Sequence, residues 1–145
     1  MLSDIRNIEK SDYYLGYIEL LNQFRYNQNT ISYNQFCEFI DNLSDNHQIF
    51  VIEYNNKIIA TLTILIENKL IHNISKIAHI EDIIIHENHK RKGLGKLLIN
   101  YALNIAENYK CYKVILASNQ ENKIFYEKCG FIEKEVEMTK YLKTI

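Results

Sequence analysis

The sequence predicts a mixed α/β domain in which helices pack on a central sheet. Three observations predict it. Apolar runs of strand character alternate with segments of helical rhythm, in the order β-α-α-β-β-β-α-β-α-β. Two of the strand-like runs flank a pair of asparagines, which marks a hairpin. From Gly93 to Tyr109 apolar residues recur with a steady three-four spacing, the buried face of a long helix.

Taken in order, Ser3 to Ile8 alternates and predicts a first strand. Asp12 to Phe24 has apolar residues at 14, 17, 18, 20, 21 and 24, a helical rhythm that Ser11 or Asp12 can cap. Ser32 starts a second helix with Phe36, Phe39, Ile40 and Leu43 on one face. Gln48–Glu53 is a strand, Tyr54–Lys57 a turn, and Ile58–Ile66 the returning strand, because paired asparagines tolerate left-handed angles. Lys69 to His72 begins a connection. Ile77–Ile85 follows, apolar on both faces near its end, which predicts deep burial. After the Gly93–Tyr109 helix come a strand at Cys111–Ala117, a short helix at Asn119–Cys129 and a last strand at Phe131–Tyr141.

The 145 residues fit one domain, 1–145, with no linker or repeat, and nearly half are apolar, enough for a single core. The net charge of -1, with both signs dispersed, argues against a nucleic-acid partner. Cys37, Cys111 and Cys129 are odd in number and form no C-x-x-C pair. The first residues lack a secretory apolar run, and Ile58–Ile66 is too short to span a bilayer. These observations predict reduced thiols, a cytoplasmic protein and no membrane partner. His72, His79 and His86 recur every seven residues and His89 follows, a spacing that fits no zinc pattern. We expect no metal and read these as ordinary surface histidines.

The most informative segment is His89-Lys-Arg-Lys-Gly-Leu-Gly-Lys96. It follows an apolar strand and opens the long helix. Its glycines let a ligand approach the backbone, and the free N–H groups of a first helical turn favour an anion. Lys90, Arg91, Lys92 and Lys96 add positive charge, so the segment reads as a phosphate cradle or, equally, as a plain basic helix start. It is neither a P-loop nor a dinucleotide fingerprint. Downstream, Tyr126 falls inside the short helix, where a phenol can protonate a leaving group or simply pack with Phe125. Glu81 and Asp82 interrupt an apolar strand. Regular pleating would send them to opposite faces, and buried acids are costly unless bonded. They mark either an opening cleft that can hold hydroxyls or an amine, or two structural acids.

Together these segments resemble the GNAT acetyltransferase superfamily. Lys90-Arg-Lys-Gly-Leu-Gly95 is similar to its Q/R-x-x-G-x-G/A signature, with Lys in first place, and Asn119…Tyr126…Gly130-Phe131 is similar to its second hallmark. Lys69-Leu-Ile-His72, His79-Ile-Glu-Asp-Ile83, Cys111-Tyr-Lys-Val-Ile-Leu116, Phe125-Tyr-Glu-Lys-Cys-Gly-Phe131 and Val136-Glu-Met138 resemble the branch that acetylates glucosamine 6-phosphate.

The resemblance implies a mostly antiparallel sheet with helices on both faces. It implies acetyl-CoA as co-substrate, with its pyrophosphate on the Arg91–Lys96 amides (Arg91, Lys92, Gly93, Leu94, Gly95, Lys96) beside Lys90. Its pantetheine arm would pair with Ile83, Ile84 and Ile85. Asn119, Asn122 and Tyr126 would border the thiol, Tyr126 stabilising or protonating it. Glu81 and Asp82 would hold the sugar. Lys69, Leu70, Ile71, His72, Tyr112 and Lys113 would complete the sugar-phosphate pocket, in a homodimer whose site borrows residues from the second subunit. The branch usually has Asp-Cys where this chain has Ala117-Ser118, and an Arg near its end where this chain offers Lys140; Arg25 is a candidate to compensate. The implied product feeds synthesis of UDP-N-acetylglucosamine. Three other readings stand beside this one: transfer to another amino sugar, a polyamine or a protein amine; a non-catalytic acetyl-CoA-binding module; and a small nucleic-acid-binding domain using Lys90 to Lys96, which the near-neutral charge disfavours.

Overall fold

The structure is a computed structural model that describes residues 4–24 and 28–144. Its sheet has five strands in sequence order: β1 (Arg6–Asn7), β2 (His47–Tyr54), β3 (Lys57–Lys69), β4 (Ser75–Ile85) and β5 (Lys113–Ile115). All neighbours are antiparallel except β4 and β5, which are parallel. The β2–β3 turn uses Asn55 and Asn56 at φ 48° and 60°, as the sequence predicts.

Four α-helices cover the two faces: α1 (Tyr17–Asn22), α2 (Tyr33–Asp41), α3 (Leu94–Asn108) and α4 (Lys123–Lys128). Leu94, Leu98, Ile99, Ala102 and Ala106 of α3 pack on Phe50, Ile52, Ile64, Ala78 and Ile80. Tyr17, Ile18, Leu20 and Phe36 pack on the other face with Ile49, Val51, Ile58 and Ile84. Ser32 caps α2, its hydroxyl accepting from the Gln35 N–H at 3.2 Å.

Several sequence expectations change. The helix expected at Asp12–Phe24 is two pieces, a 3-10 helix (Lys10–Leu15) and α1, divided at Gly16, whose φ of 85° suits glycine. Neither Ser11 nor Asp12 is the cap. Asp12 is buried inside the 3-10 helix, accepting from Arg6 Nη2 at 2.8 Å and from the Glu9 N–H at 2.8 Å. Phe39 and Leu97, placed by period on buried faces, are 53% and 48% exposed. The last strand is absent: Phe131–Tyr141 pairs with no strand among the described residues. Its alternation is intact, but Ile132, Val136 and Met138 stay 76%, 81% and 88% exposed because nothing among the described residues covers them.

One irregularity positions the site. Thr61 lies opposite Ile84 and Thr63 opposite Glu81, so Leu62 faces two residues, Asp82 and Ile83. This is a β-bulge, and Asp82 takes the left-handed conformation, φ 50°. The extra residue inverts the pleat. Before it, Ala78 and Ile80 face α3; beyond it, Ile83 and Ile85 do, while Ile84 turns to the α1 side.

Candidate active site

The bulge corrects the expectation for Glu81 and Asp82. Glu81 lies opposite Thr63 on the α1 side, and Asp82 acts on Tyr17 of that same side, so the two acids do not face opposite ways. Both are exposed, so the cost of a buried acid does not arise. Partial burial, then the neighbouring Asp82, still raises the Glu81 pKa. Asp82 lies near enough to the buried Tyr17 hydroxyl to act on it electrostatically. Burial pushes that phenol up to about 12. Tyr17 donates to Thr61 Oγ1 at 3.2 Å, since Thr61 gives its own proton to the Phe50 carbonyl at 2.9 Å. A buried, satisfied polar pair thus lies at the foot of the bulge.

The other side of β4 is an open edge. β5 pairs only with Ile77–His79, so the backbone of Ile80–Ile85 has no strand beside it among the described residues. That row of N–H and C=O groups can pair with an extended amide-bearing chain. It leads into Lys90–Lys96. Arg91 and Gly93 are left-handed, φ 62° and 81°, and Gly93 begins α3 with no side-chain cap. The Leu94, Gly95 and Lys96 N–H groups therefore have no helical partner, the condition for anion binding. Lys90 is paired with Glu87 at 3.3 Å; Arg91, Lys92 and Lys96 are exposed. A Cβ on Gly95 would stand 3.2 Å from the Phe125 ring, so this glycine also lets α4 approach α3. The donor set fits a diphosphate joined to an amide-containing arm, which is the chemistry of CoA.

Tyr126, on α4, packs edge-on to Phe131 and tilted against Phe125, centroids 6.2 and 5.1 Å away. Burial, then the Cys129 thiol, raises its pKa, so it stays a proton donor at neutrality. Asn119 Oδ1 accepts from the Asn122 N–H at 2.9 Å, and Asn122 is the N-cap residue of α4. These two asparagines shape the turn that presents Tyr126.

The residues assigned to a sugar-phosphate pocket lie elsewhere. Lys69 is paired with Glu67 at 3.4 Å. Leu70 and Ile71 are exposed at the β3–β4 tip, where His72, Asn73 and Ile74 turn left-handed at φ 55°, 59° and 60°. His72 stacks on Tyr112, centroids 4.9 Å apart, and Lys113 Nζ lies 5.7 Å from the Tyr112 ring centre. This tip is about seven strand residues from Asp82, roughly 23 Å at ~3.3 Å per residue. A sugar phosphate is far shorter, so the tip and Glu81–Asp82 of one chain do not share one acceptor. Lys140 is exposed in the unpaired C-terminal segment, and Arg25 lies outside the described residues. No group of three metal-ligating side chains and no helix long and apolar enough to cross a membrane occurs among the described residues.

Residues 2–131 match the Acetyltransferase (GNAT) family. The chain belongs to that family. It is an acyltransferase by that membership. It is 39% identical to the glucosamine 6-phosphate N-acetyltransferase of Arabidopsis thaliana, over 94% of this chain and 95% of that one. Against glucosamine 6-phosphate N-acetyltransferase 1 of Dictyostelium discoideum, identity is 36% over 96% and 90%. The crystal structure of the Arabidopsis protein superposes with a TM-score of 0.93, covering 99% of each chain at 36% identity.

Beside the acids stand Glu67, which the sequence reading passed over, and His79, which it read as an ordinary surface histidine. Glu67 and His79 meet across β3 and β4, His79 Nε2 2.9 Å from Glu67 Oε1. No sequence spacing joins positions 67 and 79; only the strand register does.

Proposed function

We propose that this chain transfers the acetyl group of acetyl-CoA to the 2-amino group of glucosamine 6-phosphate, giving N-acetylglucosamine 6-phosphate for UDP-N-acetylglucosamine synthesis. The observation that carries the reading is the split between β4 and β5: an unpaired strand edge runs into an uncapped helix start, with two carboxylates on the opposite side of the same bulge. Relatives of that name along nearly the whole chain support the acceptor.

In this reading the amides of Arg91 to Lys96 hold the diphosphate, with Lys90 beside them. The Ile83–Ile85 edge holds the pantetheine arm and aims the thioester. When bound, acetyl-CoA supplies an activated acyl carbonyl. Glu81 and Asp82 hold the amino sugar against it, and the enzyme's main contribution is to position the two. Tyr126 gives its proton to the departing sulfur; Asn119 and Asn122 keep it there. The reacting unit is a homodimer in the cytoplasm. The partner's β3–β4 tip, with its Lys69 and His72 and the nearby Tyr112 and Lys113, would supply the phosphate contacts, since in one chain the tip lies roughly 23 Å from Asp82. The alternating face of Ile132, Val136 and Met138 would be covered in the same assembly.

A thiol-release assay with a panel of amines tests this. Glucosamine 6-phosphate should release CoA fastest, ahead of glucosamine, other amino sugars and polyamines. CoA release with a different amine and none with glucosamine 6-phosphate would overturn the acceptor. That outcome would fit Ala117 and Lys140, the positions where this chain departs from the branch it resembles. Binding of acetyl-CoA with transfer to no amine would overturn the enzyme reading.

A further inference from the structure

Acetyl transfer to an ammonium releases one proton beyond those the products keep. The ammonium loses it before its nitrogen can attack; the second nitrogen proton leaves as the amide forms and makes good the proton that Tyr126 gives to the CoA sulfur. The first proton therefore needs a route out, and none of the residues above provides one. Glu81 is placed to hold the ammonium by its charge, with Asp82 and Glu137 as like-charged neighbours.

We propose that His79, held by Glu67, is the proton outlet of the acceptor site. This rests on the reading of the chain as an N-acetyltransferase. His79 is two residues before Glu81 on the same side of β4, about 6.6 Å along the strand at ~3.3 Å per residue. Its Nε2 faces a Glu67 carboxylate oxygen at 2.9 Å. An ionised carboxylate only accepts, so Nε2 carries the hydrogen. Nδ1 is then the basic nitrogen, and it has no hydrogen-bond partner among the described residues. The Glu67 carboxylate is held below its ordinary pKa, first by the His79 hydrogen bond and then by Lys69 at 3.4 Å. A stable anion behind the ring is what an imidazolium forming at Nδ1 needs.

The step balances. One N–H bond of the acceptor ammonium breaks and one forms at His79 Nδ1, directly or through one water. The nitrogen keeps the electron pair and becomes the nucleophile. His79 is partly exposed and returns the proton to solvent. The charged groups around the ring are Glu67 and Lys69 from β3, Glu81 and Asp82 from β4, Lys113 from β5 beyond Ile115, and Glu137 from the C-terminal segment.

The test is kcat/KM for glucosamine 6-phosphate between pH 7 and 9.5, above the second ionisation of a phosphate monoester near ~6, in wild type, His79→Gln and Glu67→Gln. Acetyl-CoA binding, read by calorimetry, should be unchanged in both variants and reports that they are folded. His79→Gln should lose about ten- to a hundred-fold at pH 7, the scale of general base catalysis. The deficit should close to within threefold at pH 9.5, where the acceptor arrives as free amine. Glu67→Gln should show a smaller loss with the same closure. A loss that is constant across pH, or no loss at pH 7, would overturn the proposal. Absence of wild-type turnover on this amine would instead refute the acceptor reading, and this inference with it.

Discussion

Asp82 offers a test of the bulge that separates backbone from side chain. Its φ of 50° is the conformation that L residues avoid. Replacing it with alanine and, separately, with glycine removes the same carboxylate in both cases. What differs is the cost of the left-handed angle. For alanine that cost is about 1–2 kcal/mol. Glycine escapes it but loses roughly 0.5–1 kcal/mol of extra chain freedom on folding. At the middle of both ranges the glycine variant is more stable by about 0.8 kcal/mol. No contact term enters, because both replacements end at or before Cβ. Urea unfolding at neutral pH, with a slope of roughly 2 kcal/mol per molar, turns the difference into a midpoint gap of about 0.4 M. Both variants should have lost most acetyl transfer. Alanine matching glycine in stability would mean that position 82 is ordinary strand, and the inverted pleat that brings Glu81 and Asp82 to one side would be wrong.

Four other outcomes follow from the geometry. Tyr126→Phe should lose about ten- to a thousand-fold in turnover with acetyl-CoA affinity unchanged, since only the leaving-group proton is removed; stopped-flow thiol release and calorimetry measure the two. Gly95→Ala should drive a Cβ to 3.2 Å from Phe125, cost about 1–3 kcal/mol as overpacking, and be relieved by Phe125→Leu in the same chain. Arg6→Leu should cost about 2–4 kcal/mol, because Asp12 would remain buried with only the Glu9 N–H to hold its charge. For Glu81, partial burial raises the folded pKa, so the folded state holds its proton more firmly and loses stability as pH rises through that range. Glu81→Gln should therefore unfold at higher urea than wild type at pH 7, and the gap should close by pH 4.

Most elements were legible in the sequence because each repeats its own period. The long helix, the asparagine turn and the Ser32 cap were all set by neighbours within a few residues. Gly16 could have been read as a break; its rhythm continued across it, and rhythm does not record a left-handed angle. The final strand failed for another reason. Its alternation from Ile132 to Met138 is that of a half-buried strand, and the sequence states the pattern but not whose surface completes it. Phe39 and Leu97 failed likewise: period places a residue on a face, and only packing decides how far that face is covered.

The site divides along the same physical line. The basic helix start was legible because its residues are contiguous: glycines, a helix start and basic side chains within eight residues. Glu81 and Asp82 were legible as anomalies, yet their common direction depends on Leu62 facing two residues of β4, a fact of register. The Glu67–His79 pair was not legible at all, since the separation of twelve between its members matches no period that joins them. The same register places His79 beside the acids and the Lys69–His72 tip out of their reach. In the proposed reading, the carboxylate pair that collects the ammonium has its proton acceptor within one chain, while the groups suited to the phosphate come from another. On this view, mixing a Glu81→Gln chain with a His72→Ala chain should restore activity to a fraction of the mixed dimers. One mixed interface pairs an intact Glu81 with an intact tip, and the other pairs the two lesions. Failure of every mixture to exceed its parents would show that acceptor recognition is complete within a single chain.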